Sequence, residues 1–314
     1  MKKGEDIVYS LWKHKVSGFC AAHSFAMACD SLYCAYLKAY YPYEFYTTAL
    51  KLYTEKGKKD KIALLIDEMR HYCGITMQTG IFGQDNRDWT YDKEAKTISQ
   101  NLSAIKHISK SVTADMYKAS LKTYSTFTDL LWELMQNSSI DSRQIEILIK
   151  LGYFRQFGDE KKLLTLSDEF RNGKYRLSKT VKSYAARLEA LRKMEAEMKV
   201  KPAAASERAA WEFEYTGMCF ACDPYEKGIY LVSDVDDKYS IKLRLYNISK
   251  GRYTEWLRMK KDVYAQYKPK AGELVKIKAE NCKTLPKFVW NNDKTQGSSG
   301  EKETWISAFT RVPM

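Results

Sequence analysis

Gly18 to Phe45 reads GFCAAHSFAMACDSLYCAYLKAYYPYEF. Small and apolar residues fill its first half, and Phe25, Ala28, Leu32, Ala35, Tyr36 and Ala39 recur every three or four positions. That spacing predicts one long, largely buried helix. Pro42 ends it, because the residue before a proline is pushed out of the helical region. Pro42 also suits the first turn of a second helix, where a missing N–H costs nothing. His23 and Ser24 stand at the start of the long helix. Helix starts carry unpaired N–H groups and the positive dipole end, so this pair is a candidate phosphate contact. The competing reading is a capping pair packed among small residues.

Working outward, a short helix is expected in residues 1–15, with Ile7, Leu11 and Trp12 on one face. Beyond the long helix, a second helix runs to about Lys56 and stops at Gly57. A third has Ile62, Leu65, Ile66 and Met69 as its apolar face and ends at Gly74. From Ile75, isolated aromatics among Gly, Asn and Asp read as loop with a short strand. Phe127, Leu130, Leu131 and Leu134 form a helix face, and the run from Ile145 to Phe154 is an amphipathic helix closed by Gly152. Residues 159–210 read as helical and charged, and 195–210, with Pro202 and three consecutive alanines, as a linker. After Tyr225 the period becomes two. Ile229 to Val232, Ile241 to Leu245, Leu274 to Ile277 and Thr304 to Thr310 read as strands, with a short helix at Val263 to Tyr267 and a polar loop at 291–301.

The chain has 314 residues, room for two or three domains at roughly 100–150 residues each. Its formal charge is +13, which favours a polyanionic partner, nucleic acid first. No apolar run approaches the ~20 residues of a membrane span, and the N-terminus lacks a signal-peptide core. A cytoplasmic protein without a membrane partner is expected. Seven scattered cysteines suggest reduced thiols rather than a disulfide framework. Cys219 and Cys222 are a single pair where a structural zinc site wants four ligands, so no metal site is expected.

Gly18-Phe19, His23-Ser24, Ala28, Ser31, Ala35 to Ala39, Tyr41-Pro42 and Glu44-Phe45 resemble the fingers motif of the family C bacterial replicative DNA polymerases. Arg70, Gly74-Ile75, Asp85-Asn86 and Trp89 stand in an order similar to the family's next segment. Ile98, Leu102, Ile105 and Lys106 resemble the element that opens its tandem helix-hairpin-helix module. Leu148 to Phe154 is similar to the end of that module, and Glu212, Glu214, Gly217 and Asp223-Pro224 to the segment that follows. The resemblance implies an α+β multidomain chain. Its N-terminal part is all-α, with the end of the fingers (1–95) and a helix-hairpin-helix-like module with a helical extension (96–194). The linker 195–210 follows, and then a C-terminal β-barrel of OB type (211–314).

The resemblance also implies function. DNA is the expected partner, its phosphates met by His23, Ser24, Lys38 and Lys106. The family has a cation two positions before the histidine and a tyrosine four positions after it, where this chain has Ala21 and Met27. Where the family places Lys-Gly-x-Gly, this chain has Lys106-His107-Ile108-Ser109, so DNA contact and a purely structural hairpin both stay open. OB-type domains hold single strands by stacking bases on aromatics beside cations. Tyr230, Lys242, Arg244, Tyr246, Arg252 and Trp256 are the candidates here, with Tyr239 beside them. Leu166 to Phe170 faintly echoes the family's sliding-clamp peptide without its glutamine. The family's palm carboxylates lie upstream of the fingers, and seventeen residues precede Gly18. No catalytic residue and no cofactor are therefore expected in this chain, with Mg²⁺ only at a palm carried by a partner chain. The alternative is a stand-alone, non-catalytic DNA-binding accessory protein or a truncated relic.

Overall fold

The computed structural model describes residues 21–178, 183–290 and 296–313. The short helix expected at 1–15, the first residues of the Gly18 stretch and the start of the polar loop at 291–301 lie outside them. The chain divides into two compact units, 1–46 and 47–314.

In the first unit, α1 (Ala21–Tyr40) is one continuous helix, as its spacing predicts, and Pro42 opens α2 (Pro42–Glu55). The expected burial of α1 is not found. Phe25 is 73% exposed and Leu32 70%, and no described side chain of α1 is buried. A 3.6-residue period marks an apolar stripe, but it does not supply a surface to cover it.

The second unit begins within α2. Helix α3 (Lys59–Cys73) buries Ile62, Ala63, Ile66 and Met69 and is closed by Gly74 in the left-handed conformation. The stretch read as loop forms a small sheet of β1 (Thr76–Thr79), β2 (Thr90–Asp92) and β3 (Thr97–Gln100), in the order β1-β3-β2. β1 runs parallel to β3 and β2 antiparallel to it. Gly80 follows β1 because a Cβ there would collide with Asn86. Asn86 is buried and donates to the carbonyls of Ile81 (2.8 Å) and Gln84 (2.7 Å), which folds the loop back on itself.

The main core lies in five helices: α4 (Lys110–Ser120), α5 (Phe127–Asn137), α6 (Ser142–Lys150), α7 (Glu160–Asn172) and α8 (Tyr184–Glu197). Phe127, Leu148, Tyr153, Phe154, Leu166 and Leu191 pack in it with almost no exposure. The stretch read as a linker departs from expectation. Glu195 is buried inside α8, and residues 205–216 form helix α9 (Ala205–Thr216), whose Ala205, Ala209 and Ala210 pack beneath the C-terminal sheet. The start of α9 is satisfied by Glu226, which accepts from the N–H groups of Ala205 (2.7 Å) and Ser206.

The C-terminal sheet contains β4 (Ile229–Asp236), β5 (Lys242–Asn247), β6 (Arg252–Tyr253), β7 (Leu257–Met259), β8 (Leu274–Lys276), β9 (Cys282–Trp290), β10 (Gln296–Ile306) and β11 (Thr310–Arg311). Its order is β11-β8-β4-β5-β7-β10-β9, with β6 beside β5 and helix α10 (Lys261–Tyr267) between β7 and β8 in sequence. β10 pairs parallel with β7, and the other pairs are antiparallel. No pair joins β11 to β9 among the described residues, so this is a mixed sheet whose closure into a barrel is not shown. The chain is α+β: helices, including the hairpin module, precede the sheet.

Candidate nucleic-acid interface

The hairpin predicted at Lys106 is built by its apolar neighbours. Ile105 and Ile108 are buried and pin the turn from inside, while Lys106, His107, Ser109 and Lys110 are exposed around it. His107 takes φ of +70°, the left-handed conformation that glycine adopts freely. Histidine is among the few residue types enriched there. The turn at His107 is thus of the kind that glycine makes. Ser109 caps α4, its hydroxyl accepting from the N–H of Val112 at 3.3 Å.

One side of this hairpin is held by the protein. The N–H of Lys106 donates to the carbonyl of Tyr215 at 2.9 Å, and its ammonium donates to the carbonyl of Glu214. Gln144 donates to the carbonyl of His107 at 3.0 Å, and the Arg143 guanidinium lies 3.3 Å from the His107 ring. The outer side therefore carries Lys110 and Arg143 around a helix start.

The second hairpin, Leu151 to Phe154, turns on Gly152 at φ +70°. Tyr153 and Phe154 are fully buried, and the hydroxyl of Thr79 donates to the carbonyl of Leu151 at 2.7 Å. Burial pushes the Tyr153 hydroxyl up, beyond the usual phenol range, against its hydrogen bond with Asn86.

The other candidate phosphate contacts lie on α1, in the first unit. His23 is exposed and Ser24 and Lys38 are half-buried. His23 and Lys38 are fifteen positions apart on α1, about 22 Å along a helix axis. Lys106 belongs to the second unit.

In the C-terminal sheet, Tyr246 requires correction. It is fully buried, its hydroxyl receiving from Arg70 at 3.2 Å and donating to the carbonyl of Ala221 at 3.0 Å, so no base can stack on it. Lys242, Arg244 and Tyr246 alternate onto one face of β5, and that face meets α3. Arg244 pairs with Asp60, and Arg252 lies 3.6 Å from Asp67 and 3.4 Å from His71. These two arginines are thus engaged within the fold. Tyr230 is half-buried against the sheet core, and Lys242 is half-buried. Trp256 is 37% exposed. The most open aromatics are Tyr225 and Tyr239, in turns. Turn composition marks both positions, through Asp236 to Ser240 and through Asp223-Pro224.

Among the described residues no group of three or more His, Cys, Asp or Glu is placed to hold a metal ion. Cys219 is buried while Cys222 is exposed. No described helix is long and apolar enough to cross a membrane.

Known proteins similar to this chain agree with the hairpins. Residues 85–164 match the helix-hairpin-helix motif. The DNA polymerase III subunit alpha of Campylobacter jejuni is 32% identical over 165 residues, 52% of this chain and 13% of that protein. Those of Ureaplasma parvum and Saccharopolyspora erythraea are 28% and 31% identical, over 45% and 48% of this chain and 14% and 12% of theirs. The matched segment thus covers about an eighth of each relative. Over about half of its length this chain is similar to the alpha subunit of DNA polymerase III, with a helix-hairpin-helix motif inside its helical module.

Proposed function

We propose that this chain is a DNA-binding portion of a replicative DNA polymerase of the DNA polymerase III alpha type. It grips the sugar-phosphate backbone at the hairpin surface of Lys110 and Arg143, with Lys106 bracing the turn from behind. The carrying observation is that His107 makes a glycine-like turn while two cations stand beside the exposed start of α4. Such a site neutralises phosphates and offers helix-start N–H groups, which positions a duplex without reading its sequence. Catalysis belongs to the palm of such an enzyme, whose carboxylates hold its metal ions, and DNA replication places the chain in the cytoplasm.

The C-terminal sheet is read as an OB-type domain. Its support is the antiparallel run β8-β4-β5-β7 around one core, with a helix inserted before β8. Its single-strand surface is assigned to Tyr239 and Trp256, away from the face of β5 that α3 covers.

Fluorescence anisotropy of labelled duplex and single-stranded DNA across a salt series tests the hairpin reading. Replacing Lys110 and Arg143 by Ala should weaken duplex binding and flatten the salt slope by about one per lost phosphate contact. Unchanged affinity and slope would remove the hairpin from the interface.

A further inference from the structure

A cleft of about 640 Å³ lies among β1, the second hairpin and the start of α9. Four cations line it, Arg70, Lys150, Arg155 and Arg208, with the carboxylates of Asp159, Glu160 and Glu212. Two of the cations are satisfied. Arg70 donates to the carbonyls of Phe220 (2.6 Å) and Gly251 and to Tyr246. Lys150 pairs with Glu146 at 2.7 Å. Glu212 turns an oxygen to the N–H groups of Phe220 and Ala221, both at 2.8 Å.

The other two cations stand differently. Arg155 donates to neutral acceptors, the carbonyl of Gly152 at 2.9 Å and the Gln78 side chain at 3.2 Å. Arg208 buries its Nε with no hydrogen-bond partner. The two guanidinium groups also feel each other. Burial pushes Arg155 below its usual range against the pull of Glu160, and Arg208 adds a smaller push of its own. Buried donors in folded proteins are almost always paired. An oxyanion between the two forks would satisfy the orphaned N–H and offset the repulsion at once.

We propose that Arg155 and Arg208 hold a phosphate group in this cleft. The chemistry favours a phosphomonoester or free phosphate over a mid-strand diester. A monoester presents three free oxygens and close to two charges to two guanidinium forks, whereas a diester presents two oxygens and one charge. The site does not depend on the DNA-backbone hairpin, because Lys110 and Arg143 do not line the cleft.

Calorimetric titration of the full chain with sodium phosphate, at constant ionic strength in chloride, tests this. Phosphate binds the wild type one to one. Arg208→Gln weakens it roughly tenfold or more, and Arg208→Lys, which keeps the charge and loses the fork, falls between. Without phosphate, Arg208→Gln stays folded, since the Nε it removes has no hydrogen-bond partner in the fold. A Lys110→Ala, Arg143→Ala double variant binds phosphate normally, which separates this site from the hairpin. Oligonucleotides with 5′-phosphate and 5′-hydroxyl ends identify the source. Preference for the phosphorylated end, lost in Arg208→Gln, marks a DNA terminus, and equal binding marks free phosphate. Absence of phosphate binding to the wild type at about 10 mM, or binding indifferent to Arg208, overturns the proposal.

Discussion

His107 carries the hairpin as a single residue. A left-handed backbone costs an ordinary L-residue roughly 1–2 kcal/mol, and glycine escapes that cost at the expense of unfolded-state entropy. His107→Gly should therefore leave stability within about 1 kcal/mol of wild type, whereas His107→Val, β-branched at a positive φ, should lose about 2 kcal/mol or more. Urea denaturation of both variants checks this, and equal stability of the two would show that the turn relaxes to another conformation. The sequence made the position of this turn legible through Ile105, Lys106 and Ile108. It did not make the turn's geometry legible, because no local rule says that a histidine will accept a glycine's conformation. Tyr246 failed for a related reason. Alternation assigned it to a face of β5 but not to the helix that covers that face, and Arg70, which reaches it, is 176 positions away in sequence.

At the scale of elements, spacing and stop signals served well for α1, α3 and α6, whose ends follow Pro42, Gly74 and Gly152. The contacts between elements were not legible. Glu195 shows why. It sits near the end of α8, where composition reads as the opening of a linker, yet its carboxylate accepts from the N–H groups of Phe127 (2.7 Å) and Thr128 (2.9 Å) and from the Thr128 hydroxyl (2.7 Å). It is the distant cap of α5, placed where a carboxylate also meets the positive end of that helix. Glu195→Ala should cost about 2–4 kcal/mol, because three buried donors lose their acceptor and a cavity opens. Glu195→Gln, which keeps one acceptor oxygen, should cost less. Chemical denaturation of the pair measures the difference, and a loss under about 1 kcal/mol in the alanine variant would mean that water replaces the carboxylate. Helix α9 is hidden only in part: Glu207 caps its start locally, accepting from the N–H of Ala204 at 2.9 Å, whereas the N–H groups of Ala205 and Ser206 are met by Glu226, about twenty residues onward.

Across the second unit, the helical part and the C-terminal sheet are joined at a polar clasp rather than by apolar packing alone. Arg70, at the end of α3, binds the carbonyls of Phe220 and Gly251 and the hydroxyl of Tyr246. Gly251 fits there because its φ is +60° and a Cβ would strike the Arg70 guanidinium. Glu212, from α9, completes the clasp through Phe220 and Ala221 and faces Arg70 and Arg208. Burial pushes its carboxyl up to about 7, although both N–H bonds and the two arginines favour the charged form. An unfolded glutamate titrates near 4.5, so the folded state holds this proton more tightly than the unfolded one. Its contribution to stability is fully present below about pH 4.5 and is lost as pH rises through about 7, a change on the order of 3 kcal/mol. Glu212→Gln mimics the protonated group at every pH and keeps an oxygen for the two N–H donors. It should match the wild type near pH 5, exceed it near pH 8, and remove this part of the decline between those values. Urea midpoints at a series of pH values test this directly. Parallel curves for the two proteins would mean that the carboxylate stays ionised throughout, held by Arg70 and Arg208, and that the clasp is a buried ion network rather than a protonated bridge.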